Sequence, residues 1–299
     1  MLRLRLFEAP LRMTARVRVV KILEKMKLPK VILLLIFLTS DLLLLTSAHA
    51  QLENGMDADV VIGQEDFTTN TAGTSATKFN QPDGIATDGT RLFVSEEQNR
   101  RILIFNKIPT SNNAVADLVL GANDFVTAGG GTSATRFQRL NGLHFDRGRL
   151  YVSDADSHRV LVYTSIPTTN GAPADLVIGQ TSFTAGGAGT SRTRLRTPRD
   201  AFSDGKRLFI ADRDNHRVLI FNKIPNANGA SADVVLGQPN FVVNTQNNGG
   251  RSARSMRAPH GVFSDGEKLF VADRGNGRIL IWNQIPTANH TPADVVVEK

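Results

Sequence analysis

The chain has 299 residues, of which 41% are apolar, which supports a sizeable core and excludes wholesale disorder. Its formal charge of +7 sits in the leader: residues 1–50 hold nine Lys/Arg against three Asp/Glu, and residues 51–299 hold 26 against 25. The body therefore lacks the basic excess expected of a nucleic-acid binder, and the absence of cysteine excludes disulfides, Cys-ligated zinc, thiol catalysis and a lipid-modified cysteine.

Residues 1–50 read as an export signal, with Met26 as a plausible true start. Lys27 and Lys30 supply a short positive region, Val31–Leu38 an apolar run, and Ala48-His49-Ala50 a small-x-small cleavage site. Cleavage there leaves Gln51 first and places the protein in the periplasm or outside the cell. The stretch from Val31 to Ala50 is also long enough for an uncleaved anchor, but Asp41 in its middle makes a permanent span costly. No stable membrane span is expected once the leader is removed.

The body, residues 51–299, is one unit copied four times. Ala-Asp recurs at Ala58, Ala116, Ala174, Ala232 and Ala293, spaced 58, 58, 58 and 61 residues. Ile-Pro recurs at Ile108, Ile166, Ile224 and Ile285 with the same period, and both markers absorb the same three-residue insertion before the fourth copy. The copies span about 79–120, 137–178, 195–236 and 256–297. Each contains four short strand candidates; in the first these are Gly84–Thr87, Arg91–Ser95, Arg101–Phe105 and Asp117–Leu120. Asp88-Gly89, Asp204-Gly205 and Asp265-Gly266 mark tight hairpin turns between the first two strands. Middle strands such as Ile102-Leu103-Ile104-Phe105 are continuous apolar runs, as strands covered on both faces are. Four-stranded units covered on both sides describe β-propeller blades. A β-solenoid competes less well, having shorter repeats and no regular Asp-Gly hairpins. No helix is expected after residue 50.

The third copy, Arg207-Leu-Phe-Ile-Ala-Asp212-Arg-Asp-Asn215-His216-Arg217-Val-Leu-Ile-Phe221, resembles the NHL repeat, a propeller-blade motif. The second copy matches at Asp154, Ser157, His158 and Arg159, and the fourth at Asp273, Asn276 and Arg278. The first departs most, with Glu96 for the Asp and Arg100 for the His. The resemblance implies an all-β, NHL-type propeller over residues 58–299. NHL propellers commonly have six blades, which at this period need roughly 350 residues. Four repeats plus the extra outer-strand copy Asp59–Ile62 imply an incomplete or strained ring. Its open blade edges would permit homo-oligomers.

The repeating carboxylates precede an Arg by five residues: Glu96 and Arg101, Asp154 and Arg159, Asp212 and Arg217, Asp273 and Arg278. Recurrence in every copy marks them as structural pairs rather than catalytic groups. His158 and His216 occupy the repeat's own His position and read as local turn donors. A Pro-x-Gly position at the start of each innermost strand varies among copies as Asp83, Asn141, Arg199 and His260. Propeller geometry gathers these four at the channel mouth, where concave faces bind ligands.

Ala258-Pro259-His260-Gly261-Val262 resembles a zinc-ligand segment of the peptidylamidoglycolate lyases, whose propeller is related to NHL repeats. That resemblance implies a metal-dependent lyase or hydrolase around His260. However, such a site needs several histidines, and the equivalent positions hold Asp, Asn and Arg. A binding or scaffolding module is the preferred reading. The glycine-rich loops carry no Gly-Lys-Ser/Thr, so no nucleotide cofactor is expected; a bound metal ion stays open. Loops after the outer strands repeat a Phe at 67, 125, 183 and 241, expected to plug the blade edge, followed by Phe79, Phe137, Leu195 and Met256. In later copies they carry Arg192, Arg194, Arg196, Arg251, Arg254 and Arg257, a basic rim suited to an anionic glycan or an acidic protein partner.

Overall fold

The computed structural model describes residues 54–298. The chain divides into a unit of residues Met1–Ala58 and a unit of Asp59–Lys299, and the second is described below. The leader, with its cleavage site, lies outside the described residues.

Sixteen strands form four four-stranded antiparallel sheets in sequential order. The first sheet holds β1 (Pro82–Thr87), β2 (Leu92–Glu96), β3 (Arg101–Phe105) and β4 (Leu118–Leu120). The second holds β5 (Leu140–Asp146), β6 (Arg149–Asp154), β7 (Arg159–Tyr163) and β8 (Leu176–Ile178). The third holds β9 (Pro198–Ser203), β10 (Leu208–Asp212), β11 (Arg217–Phe221) and β12 (Val234–Leu236). The fourth holds β13 (Val262–Ser264), β14 (Leu269–Asp273), β15 (Arg278–Trp282) and β16 (Val295–Glu298). Among the described residues, helix is confined to three short 3-10 turns.

The sheets stack face to face as propeller blades, with innermost strands β1, β5, β9 and β13 packed in that order. Each junction is one apolar cluster. Phe93, Ile102, Ile104 and Leu120 of the first blade meet Leu143, Val152, Leu161 and Val177 of the second. Tyr151, Val160 and Ile178 then meet Ala201, Ile210, Leu219 and Val235. Phe209, Val218, Ile220 and Leu236 meet Val262, Val271, Leu280 and Trp282. The unbroken apolar runs are thus explained: alternate residues of each strand fill two successive junctions.

The Asp–Arg pairs hold each blade to its loops. Arg217 Nε donates to Asp212 at 2.7 Å across the register pair β10–β11, and its other nitrogens donate to the carbonyls of Ser191, Arg194 and Phe241. Arg101 and Arg159 repeat this arrangement with Glu96 and Asp154. Burial pushes the Glu96, Asp154 and Asp212 carboxyls upward, and the paired guanidinium opposes it. All three pairs are fully buried.

Two expectations are corrected. The fully seated plugs are Phe79, Phe137, Leu195 and Met256; of the repeating Phe before them Phe241 is buried and Phe125 and Phe183 pack against the blade clusters, but Phe67 is 55% exposed. Loop Phe residues also contribute their carbonyls, as arginine acceptors. Each plug sits against a glycine ending the preceding outer strand: a Cβ at Gly121 would stand 2.5 Å from Phe137, and one at Gly179 2.4 Å from Leu195. His158 and His216 are not local donors. Their Nδ1 atoms accept the backbone N–H of Thr197 and Ala258 from the next blade, both at 3.1 Å.

Candidate functional site

The four variable positions at the start of the inner strands do come together. Asp83, Arg199 and His260 line a cavity of about 300 Å³ with Gly84, Gly142, Asp200 and Gly261. Asn141 is buried beside it. Only the first and fourth copies keep the full Pro-x-Gly pattern; the second has Leu140 for the proline and the third has Asp200 for the glycine. Glycine is needed where blades approach at the axis, since a Cβ on Gly84 would stand 2.5 Å from the Asn141 carbonyl oxygen. Ser95 seals that contact, accepting from Gly84 N–H at 2.8 Å and donating to the Asn141 carbonyl at 3.1 Å.

Arg199 spans the mouth. Its guanidinium donates to Asn141 Oδ1 on the second blade and pairs with Asp83 on the first at 3.3 Å. The Nδ2 group of Asn141 is buried without a partner among the described residues.

His260 lies among positive charges. Burial lowers its pKa first, and the guanidinium groups of Arg199, Arg274 and Arg213 lower it further, to about 4. It is therefore a neutral imidazole at physiological pH. Arg213 and Arg274 stand on the turns between the middle strands of the third and fourth blades, and the sequence reading passed over both. Their alternation with glycine and asparagine looked like ordinary turn chemistry; only the ring geometry turns them toward His260. A cation at this imidazole would face three guanidiniums, so these donors suit an anion rather than zinc. Among the described residues, no three His, Cys, Asp or Glu side chains are grouped to hold a metal ion.

Asp200 was missed as well, although glycine giving way to aspartate in one copy of four was a visible signal. It accepts the Val262 N–H at 3.0 Å and has no ion-pair partner among the described residues; burial raises its pKa to about 6. It links the third blade to the fourth where its counterpart in the fourth copy is Gly261.

Four of the six rim arginines have local partners. Arg192 lies over the Phe241 ring at 4.5 Å, and Arg194 donates to Gln180. Arg254 donates to the His290 carbonyl, and Arg251 pairs with Glu298. Arg196 and Arg257 lie close enough to His216 to lower its pKa.

No known family profile matches the chain, and no curated protein matches it. Solved structures do. The chain is similar to one in a nidogen/laminin complex, at 15% identity over 74% of this chain and 65% of that one, with a TM-score of 0.43. It is similar to a putative 6-phosphogluconolactonase from Bacteroides uniformis, at 18% identity over 68% and 52%, TM-score 0.43. It is similar also to the WD40 β-propeller domain of Doa1, at 10% identity over 75% and 56%, TM-score 0.45. The chain spans between about half and two thirds of those chains' lengths.

Proposed function

We propose that this is an exported NHL-type propeller that works as a binding module, taking an acidic carbohydrate at its channel mouth. The observation that carries the reading is Arg199 and His260 together on the wall of one cavity, with Arg213 and Arg274 near enough to help hold the histidine neutral. Guanidiniums recognise carboxylates with paired, charge-assisted bonds. The Asp83 carboxylate and the His260 imidazole on the same cavity wall supply polar partners for sugar hydroxyls. A uronic-acid sugar combines both chemistries. The same three guanidiniums argue against the metal-dependent lyase or hydrolase reading.

Calorimetry with a uronic-acid oligosaccharide and its uncharged counterpart tests this. The acidic sugar should bind, more weakly as salt rises, and Arg199→Ala should lose about tenfold or more in affinity. The exposed Arg147→Ala should bind as the parent does. Equal affinity for the neutral sugar would defeat the reading. Export is tested by N-terminal sequencing of protein from periplasm or medium, where Gln51 should come first.

A further inference from the structure

The third copy breaks the repeat twice at the channel mouth, at two residues that are register partners. Asp200 stands where the other copies have Gly84, Gly142 and Gly261. Ala211, paired with it on β10, stands where the first two copies have Ser95 and Ser153. In the first blade the Ser95 hydroxyl crosses to the second by donating to the Asn141 carbonyl. In the third blade the Asp200 carboxylate makes the crossing instead, accepting the Val262 N–H of the fourth. Its Oδ1 atom lies against the second blade, 2.6 Å from where a Cβ on Gly142 would stand.

A crossing of this kind needs only a neutral hydrogen-bonding group, as Ser95 shows. A carboxyl adds a titratable group on the wall of the cavity, and its surroundings give it no cation. Arg199, its neighbour in sequence, turns to Asp83 and Asn141 on the first two blades. The elements packed on Asp200 bring Gly142 from β5, Ala211 from β10 and Val262 from β13, none of them charged. Across the cavity stand Asp83 and the neutral His260. Arg213 and Arg274 lie near that histidine, and Glu97 and Arg139 lie near Arg199. An ionised Asp200 would therefore set two carboxylates against Arg199 on the cavity wall before any ligand arrived. The carboxylate of a ligand would then be a third negative charge.

We propose that Asp200 binds the ligand as a neutral acid, donating its proton in a hydrogen bond to the carboxylate that Arg199 attracts. This role rests on the acidic-sugar reading of the cavity and makes that binding proton-linked. Two carboxyl groups sharing one site raise each other's proton affinity until one of them is neutral. Asp200 is the group placed to keep the proton: it is half protonated at about pH 6 in the free protein. His260, at about 4, and an ordinary sugar carboxyl are already unprotonated there. Binding above that pH takes up one proton, and each further pH unit costs about tenfold in affinity. The site fills in mildly acidic surroundings and empties as the pH rises.

Calorimetry of the full chain with the uronic-acid oligosaccharide, run across a range of pH, tests this. Affinity should fall about a hundredfold between about pH 5 and about pH 8. Repeating the titration near pH 7 in buffers of different ionisation enthalpy should show about one proton taken up per sugar bound. Asp200→Asn donates a hydrogen bond at any pH, so its affinity should be the same at both ends of the range and no proton should be taken up. A parent that binds the acidic sugar equally well at both ends would overturn the role of Asp200 and leave the acidic-sugar reading standing. The same fall with pH in Asp200→Asn would also overturn it, because another group would then carry the proton. Absence of binding by the parent even at about pH 5 would overturn both. The proton count is read on the unaltered chain, so it decides the matter should Asp200→Asn fail to fold.

Discussion

The third and fourth blades share the length and register of their two middle strands and the Asp–Arg pair, yet one is buried on both faces and the other on one. Val218 and Ile279 occupy the same position in the same kind of strand; the first is inaccessible and the second is more than a third exposed. Burial in a propeller is thus a property of the junction and not of the blade. A blade's sequence prepares two apolar faces, and the neighbour decides whether both are used. The same holds for the arginines. Arg217 satisfies three loop carbonyls besides Asp212, whereas Arg278 holds Asp273, Ser252 and Ser255 and lacks the Phe-carbonyl contact among the described residues.

The largest expected effect tests that difference. Arg217→Ala leaves the Asp212 carboxylate buried and uncompensated and frees three carbonyls. It should lower unfolding stability by about 3–5 kcal/mol. Arg278→Ala removes fewer contacts at the open end and should lower it by less, about 2–3 kcal/mol. Urea titration of both variants measures the gap. Equal losses would mean that the neighbouring junction contributes nothing to the pair.

A second contrast lies at the axis, where the third blade carries Asp200 and the fourth Gly261. The folded pKa of Asp200, about 6, lies above the ordinary 3.8, so the folded chain holds this proton more tightly than the unfolded chain. Stability from this group is therefore full below about pH 4 and falls as pH rises to about 6. Asp200→Asn keeps an acceptor for the Val262 N–H without the charge. It should raise stability at pH 7 by about 1–3 kcal/mol, the upper figure being reduced by the carboxylate's contact with the cavity. At pH 4 the two proteins should converge. His260 acts oppositely in both: its pKa lies below the ordinary value, so its contribution is lost as pH falls from 6.5 toward 4. A gain that is the same at pH 4 and pH 7 would show that Asp200 does not carry a raised pKa.

Much of this architecture was legible because a repeat multiplies its own signal. Five Ala-Asp markers and four Ile-Pro markers fixed the copies, and the recurring carboxylate–Arg spacing identified pairs that are cross-strand neighbours. The mouth positions Asp83, Arg199 and His260 could be named because the ring brings equivalent residues together. What stayed hidden depends on contacts between copies. Nothing in Val60-Val61 says that it will sit on Asn112 without joining a strand, since its alternative, the edge of β15, is equally suited by sequence. His158 looks like a donor until the next blade supplies the N–H it accepts. Arg213 and Arg274 belong to the site only through the arc's curvature.

The smallest expected effect concerns the residue that ends the fourth blade's outer strand. Glu298 pairs with Arg251, and both side chains are close to half exposed. Such a pair contributes about 0–1 kcal/mol and is screened by salt. Glu298→Gly restores the residue that Gly121, Gly179 and Gly237 provide elsewhere, but among the described residues no plug occupies the space. It should therefore change stability by less than about 1 kcal/mol, and by less still in high salt. The matching change in the third blade behaves differently: a Cβ at Gly237 would stand 2.8 Å from the His216 carbonyl oxygen and 2.9 Å from Met256, at a φ of +88° that favours glycine. Gly237→Ala should accordingly cost more than Glu298→Gly, although it adds a single methyl group. If the two changes were equally mild, the glycine would be dispensable at a closed junction, and Glu298 would no longer distinguish the free end from the joints within the arc.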